Sequence, residues 1–189
     1  TKVGVWFADP DQVTHEVTTR VALNNHFEIP PGAKDFVVDV RLDGFARQSR
    51  LLGAMPHMHL RGKSFRLDIR KAEARETLLS VPHYDFNWQH WYQLESPLAL
   101  DKIDALEMQV SFDNSPQNPT NPNAEEYVTW GDQTWQEMAV AFFDIAHPRG
   151  KPHVIVRAAN KKTPLDQAAR QQRIEEEVIK FLKQLDADG

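Results

Sequence analysis

Two histidines separated by one residue, His57 and His59, lie in the segment GAMPHMHLRGKSF, residues 53–65. On a β-strand alternate side chains share one face, so the two imidazoles would point the same way from α-carbons roughly 7 Å apart. Two rings at that separation can reach a single metal ion. The chain has no cysteine, so any metal must be held by His, Met, carboxylate or backbone groups.

The residue that completes such a site decides which metal it suits. A cupin-like zinc or iron site would place a glutamate shortly after the second histidine, but residues 60–64 read LRGKS and contain no carboxylate. The sequence leaves open whether a third histidine completes the metal site, and the candidates are His83, His90, His147 and His153. The other alternative is a methionine, because a thioether with two imidazoles suits copper in its cuprous state, whereas zinc rarely takes Met.

The four methionines differ in their suitability as a ligand. Met55 shares the face of the histidines but precedes Pro56, which makes it an awkward ligand. Met58 should face away from the pair, and Met108 lies in an apolar strand as core filling. Met138 begins a strand after a polar loop.

Short alternating or apolar segments separated by turn residues must position these side chains. They lie at residues 3–7, 16–23, 36–42, 64–70, 76–81, 105–112, 138–145 and 153–159, and the turns include IPPG, LDG, NSPQNPTNPN and HPRG. About eight strands without intervening helices predict an all-β sandwich or barrel.

The C-terminal segment predicts a different element. Thr163 can cap a helix that has Pro164 at its first position, and apolar residues then recur at helical spacing on one face, at Ile174, Val178, Phe181, Leu182 and Leu185. We therefore divide the chain into a β-sandwich, residues 1–160, and an amphipathic α-helix, residues 161–189.

The last four residues, Asp186 to Gly189, resemble the start of an EF-hand loop. An acidic helix end in solvent is the equal alternative. The later ligands of such a loop are absent, so we expect no tight calcium binding by this chain and a natural sequence that continues beyond Gly189.

Four segments in this order and spacing carry a family resemblance. They are MPHMHLRGKSF (55–65), YDFNWQ (84–89), FDNSPQNPTNPN (112–123) and WGDQTWQEM (130–138). Over residues 15–158 the chain is similar to the C-terminal domain of copper type II ascorbate-dependent monooxygenases, the peptidylglycine-amidating and dopamine β-hydroxylase group, and most similar to their bacterial relatives. The resemblance implies an antiparallel, jelly-roll-like β-sandwich.

The resemblance also implies a ligand set and a reaction. His57 and His59 match the family's His-x-His pair, and Met138, preceded by Glu137, matches its methionine. One copper ion would then activate dioxygen to hydroxylate an aliphatic C–H bond of a small-molecule or peptide substrate. The two electrons require a partner, which would be a second copper domain or a haem redox domain, upstream or on another subunit.

Differences from the family pattern limit the substrate. The positions at which amidating enzymes hold their substrate are occupied here by Met55, Val140 and Phe142. These side chains disfavour peptide amidation and predict a more apolar substrate pocket. The chain also has no adjacent His-His pair of the kind that the second copper domain uses.

Three functional classes therefore remain open: the copper half of a monooxygenase, a single-copper binding or electron-transfer module, and an interaction sandwich that has lost the metal. The net charge of -5 argues against nucleic acid as a partner, and no run of about 20 apolar residues predicts a membrane span. The chain begins with Thr1 rather than Met, so we expect an upstream segment, and we expect a periplasmic or secreted location.

Overall fold

The computed structural model describes residues 1–150 and 157–159, and the predicted C-terminal helix and EF-hand-like end lie outside them. The described residues form eleven strands and one short 3₁₀ helix, Leu100–Lys102. The strands are β1 (His15–Asn24), β2 (Glu28–Ile29), β3 (Phe36–Asp43), β4 (Arg50–His57), β5 (Gly62–Lys71), β6 (Ala74–Val81), β7 (Tyr92–Ala99), β8 (Ala105–Phe112), β9 (Val128–Thr129), β10 (Ala139–Pro148) and β11 (Arg157–Ala159).

Two antiparallel sheets form a sandwich, which confirms the predicted all-β class. One sheet has the order β1-β10-β4-β7, and the other has the order β11-β3-β8-β5-β6. Strands β2 and β9 form a separate short ribbon. Every paired strand runs antiparallel to its neighbour.

Alternation along the strands explains the layering. In β3, Val38, Val40 and Leu42 are buried while Asp39 and Arg41 point outward. The buried residues of the two sheets meet in one core, to which Leu51, Phe65, Leu67, Met108, Phe112 and Phe143 contribute. Phe27 stacks on Phe112 with ring centroids 5.5 Å apart, which ties the β1–β2 connection to that core.

The first apolar segment is not a strand, although its composition predicted one. Residues 3–7 are unpaired coil, and Trp6 and Phe7 are 90% and 94% exposed. A strand needs a hydrogen-bonded neighbour, and this segment has none within the described residues, so composition alone was insufficient. Within the same residues the structure contains no helix long and apolar enough to cross a bilayer.

A network of ion pairs lies on the second sheet. The carboxylate of Asp68 is inaccessible to solvent and contacts Arg66 at 2.8 Å and Arg75 at 2.6 Å. It also accepts a hydrogen bond from the Thr77 hydroxyl at 2.7 Å. Burial alone would raise the pKa of Asp68, but these hydrogen bonds and the charge of Arg75 hold it below its ordinary value.

Candidate metal centre

The candidate ligands come from two strands that are neighbours in the first sheet. His57 is the last residue of β4, and its direct partner on β10 is Val140. Met138 immediately precedes β10, two residues before Val140, so the alternation of an extended chain assigns it to the sheet face of His57. Met55 shares that face and lies opposite Phe142.

The second histidine reaches the site from a turn rather than from the strand. His59 lies beyond the end of β4, so the prediction that both histidines occupy one strand is wrong in that detail. The two rings nevertheless lie in contact edge to face, with centroids 5.2 Å apart and an interplanar angle of 86°. The structure thus brings the pair together by a bend in the chain.

Hydrogen bonds define which nitrogen of each ring is available. Nδ1 of His57 lies 2.6 Å from Oε1 of Gln89, whose amide orientation is fixed because its Nε2 donates to the Phe86 carbonyl. Nδ1 of His59 lies 3.2 Å from the carbonyl oxygen of Gln136. Both partners are acceptors, so each Nδ1 carries the proton and each Nε2 carries a lone pair. Metal-binding histidines are held by their second nitrogen in this way.

The protonation state of His59 also suits a ligand. Burial of the ring lowers the pKa of His59, and the net shift remains downward although the backbone carbonyls of Gln136 and Gln133 act in the opposite direction. The neighbouring His57 lowers the His59 pKa further. His59 is therefore neutral at neutral pH, as metal binding requires.

The turn that carries the pair is fixed at nearly every residue. The Tyr84 hydroxyl accepts a hydrogen bond from the Met58 N–H and donates one to the Met58 carbonyl. Thr120 donates to the Leu60 carbonyl at 2.7 Å. At Gly62 a Cβ atom would come within 2.7 Å of both the Met58 side chain and the Tyr84 ring, so this close approach requires glycine.

A buried carboxylate joins this turn to the segment before β10. Glu137 is fully buried and accepts hydrogen bonds from the backbone N–H groups of His59 at 2.9 Å, Arg61 at 2.6 Å and Met138 at 3.3 Å. Burial raises the pKa of Glu137 to about 7, although the three N–H groups act against that rise. Sequence reasoning took Glu137 only as an acidic neighbour of the methionine.

Arg61 is buried and serves as a structural cross-link. Its Nε donates to Oδ1 of Asn114 at 2.8 Å, Nη1 donates to the Trp135 carbonyl at 2.7 Å, and Nη2 donates to the Asn123 carbonyl at 3.2 Å. One guanidinium therefore connects the histidine turn with two long loops. All of its donor nitrogens are directed into the protein.

Aromatic rings surround the histidines. Phe86 meets the His59 ring edge to face at 5.9 Å, and Phe142 meets the His57 ring at 6.4 Å. Trp88 and Trp135, each adjacent to the glutamine that binds one histidine, are 66% and 60% exposed. The segment 84–91, which carries Phe86 and Trp88, is a loop beside the site.

A third ligand from among the carboxylates or histidines is not available in the described residues. They contain no group of three or more His, Cys, Asp or Glu side chains that could share a metal ion. His147 lies near the other end of β10 and contacts Thr18, whereas His153 lies outside the described residues. The methionine alternative is the one that the sheet register favours.

Comparison with known proteins gives no family assignment. No family model matches the chain, and no curated protein matches it. Two solved structures, of infectious bursal disease virus strains Gt and Gx, share 9% sequence identity with it, at TM-scores of 0.37 and 0.36. The match covers 82% of this chain and 39% of each viral chain. Similarity at this level carries no functional argument.

Proposed function

We propose that His57, His59 and Met138 bind one copper ion and that this chain is the copper domain of a copper-dependent monooxygenase. The observation that carries the proposal is the pair of adjacent rings whose Nδ1 atoms each lie against an acceptor, because this places the lone pair of each neutral ring on Nε2. Two neutral imidazoles and a thioether are a donor set that suits copper in its cuprous state. Copper bound there would supply the redox chemistry for hydroxylation of an aliphatic carbon by dioxygen.

The surroundings support a substrate with apolar character. Met55, Val140 and Phe142 lie on the sheet face of His57. Arg61 follows the pair closely in sequence, but its guanidinium is buried in hydrogen bonds to the protein and is not free to bind a substrate carboxylate. We therefore expect an apolar small-molecule substrate to be preferred over a peptide with a free C-terminus.

Copper titration with ligand variants tests the site. We expect one Cu⁺ per chain, loss of binding in His57→Ala, and weaker Cu⁺ binding with an intact fold in Met138→Ile. Met55→Ile is the matched control, because Met55 is the other methionine assigned to this face. Full-affinity binding by His57→Ala would reject the site, and weakening by Met55→Ile instead of Met138→Ile would reassign the third ligand.

The alternative function is a single-copper binding or electron-transfer module. The number of candidate metal ligands favours this alternative. The described residues contain the His57–His59 pair and no cluster of histidines and carboxylates that could hold a second metal ion. Oxygen uptake that depends on both substrate and a second redox domain would support the monooxygenase. Copper binding without such uptake would support the module, and failure to bind copper at micromolar concentration would leave an interaction sandwich.

A further inference from the structure

The two halves of the proposed copper site lie far apart in sequence. The histidine half is the turn from His57 to Arg61, and the thioether half begins at Met138. His59 and Glu137 are separated by 78 positions. The sheet register brings the strands together, but neither His59 nor Met138 is within a strand, so pairing between β4 and β10 does not fix their relative position.

The Glu137 carboxylate makes a connection that the strands do not, in addition to the bonds of His59 to the Gln136 carbonyl and of Arg61 to the Trp135 carbonyl. Its Oε2 accepts hydrogen bonds from the backbone N–H groups of both His59 and Met138, and its Oε1 accepts one from Arg61. One oxygen atom thus touches both halves of the site. Within the described part of the chain Glu137 forms no ion pair, so backbone N–H groups are its partners.

The buried Glu137 carboxylate destabilises the fold unless all of its hydrogen bonds are formed. Burying a carboxylate is unfavourable without compensating hydrogen bonds, and removing it would leave three N–H groups of the two segments without their acceptor. A glutamine at this position has nearly the same shape, but its nitrogen donates rather than accepts. It would oppose at least one N–H group and loosen one half from the other.

We propose that Glu137 is a positioning residue that ties the methionine half of the copper site to the histidine half. This inference rests on the proposed function, and it adds a role for a residue that does not itself touch the metal. Without Glu137 the imidazole pair should still bind a metal ion, because Gln89 and the Gln136 carbonyl still contact the two Nδ1 atoms. The thioether is then no longer held in register with them.

X-ray absorption at the copper edge of the Cu⁺-loaded chain separates these contributions. The wild-type protein should show nitrogen and sulfur scatterers, and Glu137→Gln should keep the nitrogens and lose the sulfur. Its Cu⁺ affinity should fall by about tenfold or more, as for other residues that orient metal ligands. Zn²⁺ affinity should not change, because zinc uses the imidazoles. Met108→Ala, a core substitution away from the site, is the control for general destabilisation and should keep the sulfur.

The outcomes of this experiment test the positioning role of Glu137 separately from the proposed copper ligands. If the wild-type spectrum lacks sulfur, the ligand set is wrong. If the wild-type and Glu137→Gln proteins both show sulfur and equal Cu⁺ affinity, the ligand set stands and the positioning role is wrong.

If the Glu137→Gln protein does not fold, amide hydrogen exchange measured on the wild-type protein tests the proposal instead. The amides of His59, Arg61 and Met138 should then share one opening free energy, because one carboxylate holds all three. Clearly different opening free energies would overturn the proposal.

Discussion

At the scale of single residues, the candidate site depends on atoms that would not contact the proposed metal ion. Gln89 and the Gln136 carbonyl each hold one Nδ1, and this fixes the tautomer that presents Nε2. Gln89 lies 32 residues from His57, so its role arises only in the folded chain.

Replacing Gln89 by Leu should test this directly. The His57 Nδ1–H would lose its acceptor and the ring could change tautomer and orientation, so Cu⁺ affinity should fall by roughly 10 to 100-fold. Competition titration against a Cu⁺ chelator measures the change. Gln93→Leu, at an exposed position on β7, is the control and should bind copper normally. Equal affinities for the two variants would contradict the proposed orientation of His57.

The sequence indicated the candidate ligands, which stay a prediction, but it did not indicate the residues that support them. The His-x-His spacing was visible in the chain, because it depends on residues that are close in sequence. The bonds from Glu137 to His59 and from Arg61 to Asn114 span 78 and 53 positions, and no local pattern encodes them. The buried positions of Glu137 and Arg61 were unexpected, since charged residues are mostly exposed.

At the scale of elements, the β4–β5 connection is the least tolerant part of the site. Its chain path depends on Gly62, whose neighbours leave no room for a side chain. The same connection is anchored by Tyr84, Thr120 and Glu137 from three other segments. A shift here would therefore move His59 relative to β10.

Gly62→Ala should destabilise the fold and weaken copper binding together. The added Cβ would overlap Met58 and the Tyr84 ring, and overpacking of this kind costs about 1–3 kcal/mol. Chemical denaturation and Cu⁺ titration measure the two effects. Gly4→Ala is the control because its neighbours leave ordinary contact distances of 3.4 Å or more, and it should change neither quantity. Unchanged stability in Gly62→Ala would show that the turn adapts freely.

Alternation predicted several strands well and others not at all. Segment 36–42 alternates clearly and forms β3, whereas the apolar segment 3–7 forms no strand. Strand β7, with Pro97 and exposed polar residues, was missed because it is an edge strand with weak alternation. Whether a segment forms a strand depends on the neighbouring strands with which it can pair, and these are determined by the whole sheet.

At the scale of the whole molecule, acid stability should depend on the second sheet. The pKa of Asp68 is lower in the folded chain than in the unfolded chain, where it is about 4. Its stabilising contribution is therefore present above the unfolded pKa and is lost as the pH falls through the folded pKa. The sandwich should weaken in that acidic range through this carboxylate.

The variant Asp68→Asn should remove that part of the pH dependence. At neutral pH we expect a loss of about 2 kcal/mol, because charge-assisted hydrogen bonds to Arg66 and Thr77 are weakened. As the pH falls through the folded-state pKa of Asp68, the difference from the wild type should narrow, since the wild-type carboxyl is then protonated. Asp43→Asn, in an exposed pair with Arg41, is the control. A difference that stays constant with pH would contradict the assignment.

The wide sequence separation between the turn at His59 and the carboxylate at Glu137 also has a kinetic meaning. Contacts between such distant segments form late in folding, because loop closure must precede them. Copper should therefore bind only after the β4–β10 pairing is complete. We expect Cu⁺ to leave the refolding rate of the chain unchanged and to slow its unfolding, which stopped-flow fluorescence can measure. Faster refolding with Cu⁺ would mean that the histidine pair binds the ion before β4 and β10 have paired.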